Sequence, residues 1–206
     1  MSLKLSDPSL LEERAFVGGE WSEGATRFPV VNPATGEEIA RVRTAIDSAY
    51  EAQKSWRSLT AKERCGILLT WQQLMLDNVE DLAQILTAEM GKPLAEARGE
   101  IAYGASFIQW FAEEARRIYG DVIPGHQGDK RIIVLKQPIG VVGSITPWNF
   151  PNAMIARKVG PALASGCAFV GRPAEKTPLS ALAMAKLAER AGVPKGVLSI
   201  VTGSAS

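Results

Sequence analysis

From residue 140 to residue 202 the chain alternates short β-type apolar runs with helical ones, and glycine or proline marks each change. Residues 140–146 read as a buried strand, and residues 152–165 as a helix ending at Gly166. Residues 167–171 read as a second strand, 178–191 as a helix stopped by Gly192, and 196–202 as a third strand. Glycine past a helix end takes the left-handed conformation without a Cβ penalty, so it serves as a stop. The resulting order, β-α-β-α-β, is the half-unit of a doubly wound nucleotide-binding sheet and sets the fold class as α/β. Right-handed crossovers make such strands parallel. Ligands on sheets of this kind sit outside the carboxyl ends of the strands, which points to residues 146–149 and 172–175.

Upstream, residues 44–119 read as helical. Thr60 and Glu63 have the spacing of a capping box, in which each side chain satisfies a free backbone N–H at a helix start. Ile67, Leu68, Trp71, Leu74 and Met75 recur at three and four residues, which buries one face. Gly91 reads as a stop and Pro93 as part of the first turn of a new helix, running through Ile101, Ala105, Ile108, Trp110 and Phe111 to Gly120. The tryptophans in these stripes are expected in the core. In the first forty residues Gly18, Gly19, Pro29, Asn32 and Pro33 separate short apolar runs, the pattern of hairpins and turns on the surface of a larger body. Residues 121–129 read as a polar connection and 131–137 as a β-rich run. The chain thus divides into hairpins and helices (1–120), a strand segment (121–138) and half of a sheet (139–206).

Composition removes several function classes. A formal net charge of +1 over 206 residues gives no field toward nucleic acid or an anionic membrane. No stretch approaches the roughly 20 apolar residues that span a bilayer, and the N-terminal residues lack the apolar core of a signal peptide. Cys65 and Cys167 are too few and too distant in sequence for a disulfide framework or a zinc site, and His126 is the single histidine. No metal site is expected, and a reducing, cytoplasmic setting fits best.

The first strand is not followed by G-x-G-x-x-G. It leads into Thr146-Pro147-Trp148-Asn149-Phe150-Pro151, where two prolines and a tryptophan cannot give the close backbone approach that glycines provide to a pyrophosphate. Either a dinucleotide lies differently across this strand end, or there is none.

The run QPIGVVGSITPWNFP (137–151) resembles the signature around the first cofactor-domain strand of NAD(P)-dependent aldehyde dehydrogenases, closest to the succinate-semialdehyde type. MIARKVGPALASGCAFV and RPAEKTPLSALAMAKLAERAGVP follow in the order and spacing of that family, and upstream VNPATGEEIA, GKPLAEARGEI and FAEEARRIYGDVIPGH are similar to it as well. The resemblance covers nearly the whole chain.

By that resemblance, Asn149 is the catalytic asparagine whose side-chain amide donates to the aldehyde-derived oxyanion. Ile145, Thr146, Pro147, Trp148 and Asn149 would lie along the nicotinamide half of NAD or NADP. Arg172, Pro173, Ala174 and Glu175 would face the adenosine ribose, where the carboxylate of Glu175 accepts both hydroxyls, repels a 2′-phosphate and favours NAD. Arg172 replaces the family's lysine, keeping the charge but changing its reach. Gly171, where a β-branched residue is usual, is expected to weaken its strand. Arg157 corresponds to the arginine that holds the distal carboxylate of succinate semialdehyde, a task suited to a two-point guanidinium.

The resemblance further implies a small-molecule aldehyde substrate, attack by a cysteine thiolate through a thiohemiacetal, and hydrolysis assisted by a glutamate. Both of those residues would lie beyond Ser206; neither Cys65 nor Cys167 is expected to be the nucleophile. The alternative is a truncated, inactive chain that only binds nucleotide or associates with partner subunits. Residues 129–138 resemble the arm exchanged between subunits, implying a parent homodimer or homotetramer. The connection near Arg43 is shorter than usual by roughly two helical turns' worth of residues. A sheet stopping at its third strand would leave pairing edges and apolar area exposed.

Overall fold

The computed structural model describes residues 3–22, 28–31, 38–42 and 49–203. The connection near Arg43 and the turn expected after Ser204 lie outside the described residues. At the centre is a five-stranded sheet in the order β2 (Glu20–Ser22), β1 (Ala15–Val17), β9 (Leu198–Ile200), β8 (Ala168–Arg172), β7 (Val141–Ile145). The strands β7, β8 and β9 are parallel, with Val141 opposite Ala168, Ile145 opposite Arg172 and Phe169 opposite Leu198. The crossovers are α5 (Ala153–Ala164) and α6 (Leu179–Arg190). Because successive strands step in one direction, right-handed crossovers place both helices on the same face of the sheet.

A second helical layer covers α5 and α6. It consists of α2 (Ala61–Asp77), α3 (Val79–Met90) and α4 (Leu94–Glu114), with α1 (Ala49–Ser58) against β7 and β8. The capping box forms as expected at the start of α2: Thr60 Oγ1 accepts from the Glu63 N–H, and the Glu63 carboxylate accepts from the Thr60 N–H. Gly91 ends α3 at φ 83°. Pro93 stands one residue before α4, at its N-cap.

Two tryptophans tie the layers together. Trp56 and Trp71 are wholly buried, and their indole N–H groups donate to Leu163 O at 2.9 Å and Met184 O at 3.0 Å. A buried indole needs such a partner. The carbonyls at the C-terminal end of α5 are answered by side chains from α1 and α2: Gln53 donates to Gly166 O and Arg64 to Ala164 O, while Arg64 also donates to Leu59 O just after α1. Orphan carbonyls at a helix end are therefore satisfied from the neighbouring layer.

Several expectations are corrected. Trp110 is 61% exposed, because it projects from the face of α4 opposite the Ala97, Ile101, Ala105, Ile108 and Ala112 stripe that packs inward. The helix stops at Glu114 and passes through a 3-10 turn (Ala115–Arg117), short of Gly120. The segment after Gly120 is not only a connection: β5 (Asp121–Pro124) pairs antiparallel with β6 (Arg131–Val134), so the β-rich run has a partner that its polar, glycine-containing neighbourhood concealed. The first hairpin is not confined to the surface. Gly18 and Gly19, both at positive φ, turn β1 into β2, and Phe16 pairs with Ile200 and is buried. A separate hairpin joins β3 (Phe28–Val31) to β4 (Glu38–Val42). Finally, β7 is a sheet edge and only partly buried.

Gly171 has a packing reason. A Cβ there would stand 2.8 Å from Phe169 Cε1 and 3.2 Å from Ile200 Cδ1, so the absent side chain makes room for the Phe169 ring. No helix among the described residues is long and apolar enough to cross a membrane.

Candidate active site at the carboxyl ends of β7 and β8

Parallel register brings the two expected segments together. Thr146 N donates to Arg172 O at 3.1 Å, continuing the ladder one residue past β7, so residues 145–149 and 172–175 leave the sheet side by side. Ile145 is 75% exposed and Trp148 57% exposed, presenting apolar surface at the strand end. Thr146 is buried, and its Oγ1 has no partner among the described residues. Arg172 Nη2 donates to Gly203 O at 2.9 Å, tying the end of β8 to the turn after β9. Pro173 is buried, while Ala174 and Glu175 are half-buried.

The turn from Thr146 to α5 is held from below by a buried ion pair that sequence reasoning missed. Lys92 Nζ lies 2.5 Å from Glu100 Oε2, donates to Asn149 O at 3.2 Å, and stands 3.8 Å from the centre of the Phe150 ring. Glu100 Oε1 accepts from Asn152 N at 2.9 Å and Ala153 N at 3.2 Å. A carboxylate at a helix start takes up orphan N–H groups and opposes the positive end of the dipole. Asn149 is thus fixed by its backbone, while its side chain is exposed and makes no hydrogen bond among the described residues. It is not the N-cap of α5; Asn152 holds that position, and Glu100 does the capping.

The same device recurs one helix along. Glu89, wholly buried on α3, accepts from Leu179 N at 2.7 Å and Ser180 N at 2.9 Å at the start of α6. Burial pushes its carboxyl up to about 7, against the pull of those N–H groups and with added repulsion from Glu100. The helical layer therefore closes both crossover helices with carboxylates. A dinucleotide phosphate finds neither N-terminus open, in keeping with the missing glycine fingerprint.

The signal for both glutamates was present. Glu89 follows Leu82, Ile85 and Leu86 at helical spacing, and Glu100 adjoins Ala97, Ile101 and Gly104, so each is a charged residue on a stripe that faces inward. Such residues are almost never fully buried unless paired.

Arg157 lies on α5 and faces α4. Its Nη2 donates to the Tyr103 hydroxyl at 3.1 Å, and its guanidinium carbon stands 4.9 Å from the Phe107 ring centre. Cys167 precedes β8, at the end of the strands opposite the candidate site, and Cys65 lies buried on α2 with Arg116 Nη2 at 3.2 Å from its sulfur. Neither thiol is near the strand ends that carry Asn149. His126 is exposed in the β5–β6 turn.

A mixed sheet with three parallel strands and its crossover helices on one face places this molecule in the α/β class. It belongs to the aldehyde dehydrogenase family: residues 21–206 match the pattern described as Aldehyde dehydrogenase family. A glutarate-semialdehyde dehydrogenase from Pseudomonas putida is 59% identical over 213 residues, covering 98% of this chain and 44% of the relative. The succinate-semialdehyde dehydrogenase [NADP(+)] of Escherichia coli (strain K12) is 57% identical over 213 residues, with the same coverage. Both matched lengths exceed the 206 residues present, so each relative carries residues that this chain lacks. The crystal structure of an aldehyde dehydrogenase from Brucella melitensis biovar abortus 2308 superposes with a TM-score of 0.97 at 53% identity, covering 99% of this chain and 44% of that one. The chain spans less than half the length of these proteins.

Proposed function

We propose that this chain is the cofactor-side portion of an NAD(P)-dependent dehydrogenase that oxidises succinate semialdehyde, or a similar aldehyde with a distal carboxylate, to the acid. The observation that carries this reading is the placement of Asn149. Its backbone is anchored through Lys92 and Glu100, and its side-chain amide has no partner among the described residues where β7 and β8 open. A donor held in advance at the point where an oxyanion forms is worth about 3–4 kcal/mol of barrier.

The residues present fit a dinucleotide laid along the strand ends. Ile145 and Trp148 offer apolar surface, and Thr146 and Pro147 offer backbone. Arg172, Pro173, Ala174 and Glu175 flank the adenosine ribose, with the Glu175 carboxylate favouring NAD. When bound, the cofactor supplies a hydride acceptor. The residues of this chain orient the aldehyde: Asn149 donates to the carbonyl oxygen as it gains charge under attack by a thiolate, and Arg157 takes the distal carboxylate. The thiol and the general-base glutamate belong to segments outside these 206 residues. The β5–β6 hairpin, exposed along its whole length with apolar side chains outward, supports contact between subunits in a homodimer or homotetramer.

Calorimetric titration of the purified chain with NAD and NADP tests the cofactor assignment. Saturable binding that Trp148→Leu weakens is expected; no binding of either dinucleotide overturns it. A second reading, binding without turnover, is favoured by the burial of both thiols away from the strand ends. NADH or NADPH formation from succinate semialdehyde by the 206-residue chain itself would remove that second reading.

A further inference from the structure

We infer that Tyr103 and Phe107 of α4 are specificity-determining residues that aim Arg157, so that the three together form the receptor for the substrate's distal carboxylate. The inference rests on the reading of Arg157 given above and names what builds that subsite.

Three observations carry it. First, Arg157 is half-buried, yet no carboxylate among the described residues pairs with it, and its Nε is buried without a partner. A desolvated guanidinium ordinarily has its counter-charge built in. Here the neighbours are aromatic: Phe107 at 4.9 Å and Tyr103 at 5.7 Å from the guanidinium carbon, the two rings set edge to face at 4.7 Å. Ring faces hold a cation in place without neutralising it, so the full charge stays available to an anion from outside.

Second, the Tyr103 hydroxyl accepts from Arg157 Nη2, which leaves its own proton free to donate. Tyr103 is 47% exposed, so that proton is within reach of a ligand. A carboxylate arriving at the guanidinium then meets a phenol O–H beside it, two charge-assisted bonds from two different helices.

Third, the cradle is rigid because α4 and α5 cross closely through glycine on both sides. A Cβ at Gly104 would collide with Asn152 Oδ1, and one at Gly160 would stand 3.3 Å from Phe111 Cδ2 and 3.4 Å from Phe107 O. Arg157 sits between these two contacts in α5; in α4 Tyr103 adjoins Gly104 and the carbonyl of Phe107 meets Gly160. Their separation is therefore fixed by backbone packing.

The test uses the 15N-labelled chain and follows the Arg157 Nε–Hε resonance, identified by its loss in Arg157→Lys. The probes are 4-hydroxybutyrate, the alcohol analogue of succinate semialdehyde, and butan-1-ol, which lacks the carboxylate, at constant ionic strength. Saturable movement with 4-hydroxybutyrate and none with butan-1-ol is expected. Tyr103→Phe, which removes only the hydroxyl, is expected to weaken that binding about fivefold, the worth of one hydrogen bond. Phe107→Leu is expected to do likewise, with both variants melting as the parent does. If both variants titrate like the parent, Tyr103 and Phe107 do not aim the arginine, and the carboxylate role of Arg157 stands without them. If the parent shows no saturable movement, the receptor and the reading of Arg157 fall together.

Discussion

Removing the Glu100 carboxylate should damage the molecule more than removing its lysine partner. In Glu100→Ala, Lys92 keeps its charge in a buried site and loses its counter-ion, while the N–H groups of Asn152 and Ala153 lose their acceptor. Breaking a buried pair from one side costs about 3–5 kcal/mol, a large part of the 5–15 kcal/mol typical of a whole domain. In Lys92→Met the carboxylate retains two N–H donors at a helix start, so about 2–3 kcal/mol is expected. The double variant Lys92→Met/Glu100→Ala should then cost less than the two single losses added together, because no unpaired charge remains. Equilibrium urea unfolding of the four proteins measures all three terms. Amide exchange at Asn152 and Ala153 should quicken in Glu100→Ala and much less in Lys92→Met. A Glu100→Ala loss below about 0.5 kcal/mol, the range of ordinary surface changes, would refute the reasoning that this pair holds the turn bearing Asn149.

Three further outcomes are expected. Glu89 holds its proton more tightly folded, at about 7 against an ordinary 4.5. Its contribution to stability is therefore greatest below pH 4.5, declines as pH rises through that window and levels off above about 7; Glu89→Gln should flatten the decline in melting temperature across it, and an unchanged slope would contradict the assignment. Gly171→Ala should cost about 1–3 kcal/mol in urea unfolding through overlap with Phe169, whereas a strand weakened by glycine would be stabilised by the change. Ile145→Lys, on the open side of β7, should leave the melting temperature nearly unchanged and reduce concentration-dependent association seen by light scattering.

The alternation of strand and helix after Gly140 was legible because its stop residues are local: Gly166 and Gly192 both take positive φ where the helices were expected to end. The capping box at Thr60 and the stop at Gly91 were legible for the same reason. What failed was whatever depended on a partner distant in sequence. Asp121 carries no strand signature of its own; pairing with Val134 makes it one. Trp110 counts toward an apolar stripe by its residue type, but its position in α4 lies opposite the Ala97, Ile101, Ala105, Ile108 and Ala112 face, and a single large apolar residue does not say which face packs inward. The candidate site followed the same division. Parallel register set Thr146 beside Arg172 as the topology requires; Glu89 and Glu100 stood on inward-facing stripes, but their partners, Lys92 and the N–H groups that start α5 and α6, were set only by a second helical layer falling across the crossover helices.

Phe16 and Ile200 are partners far apart in the sequence, and around them Gly18 N meets Ser199 Oγ, Trp21 meets Glu189, and Arg190 meets Asp7 and Ser9. Closing so long a loop yields nothing until β9 is in place. During synthesis the first hairpin must therefore wait without its β9 partner until Ile200 has been made. The edge it covers is bare in every nascent chain that stops short of β9, so docking of the N-terminal hairpin marks the arrival of that strand.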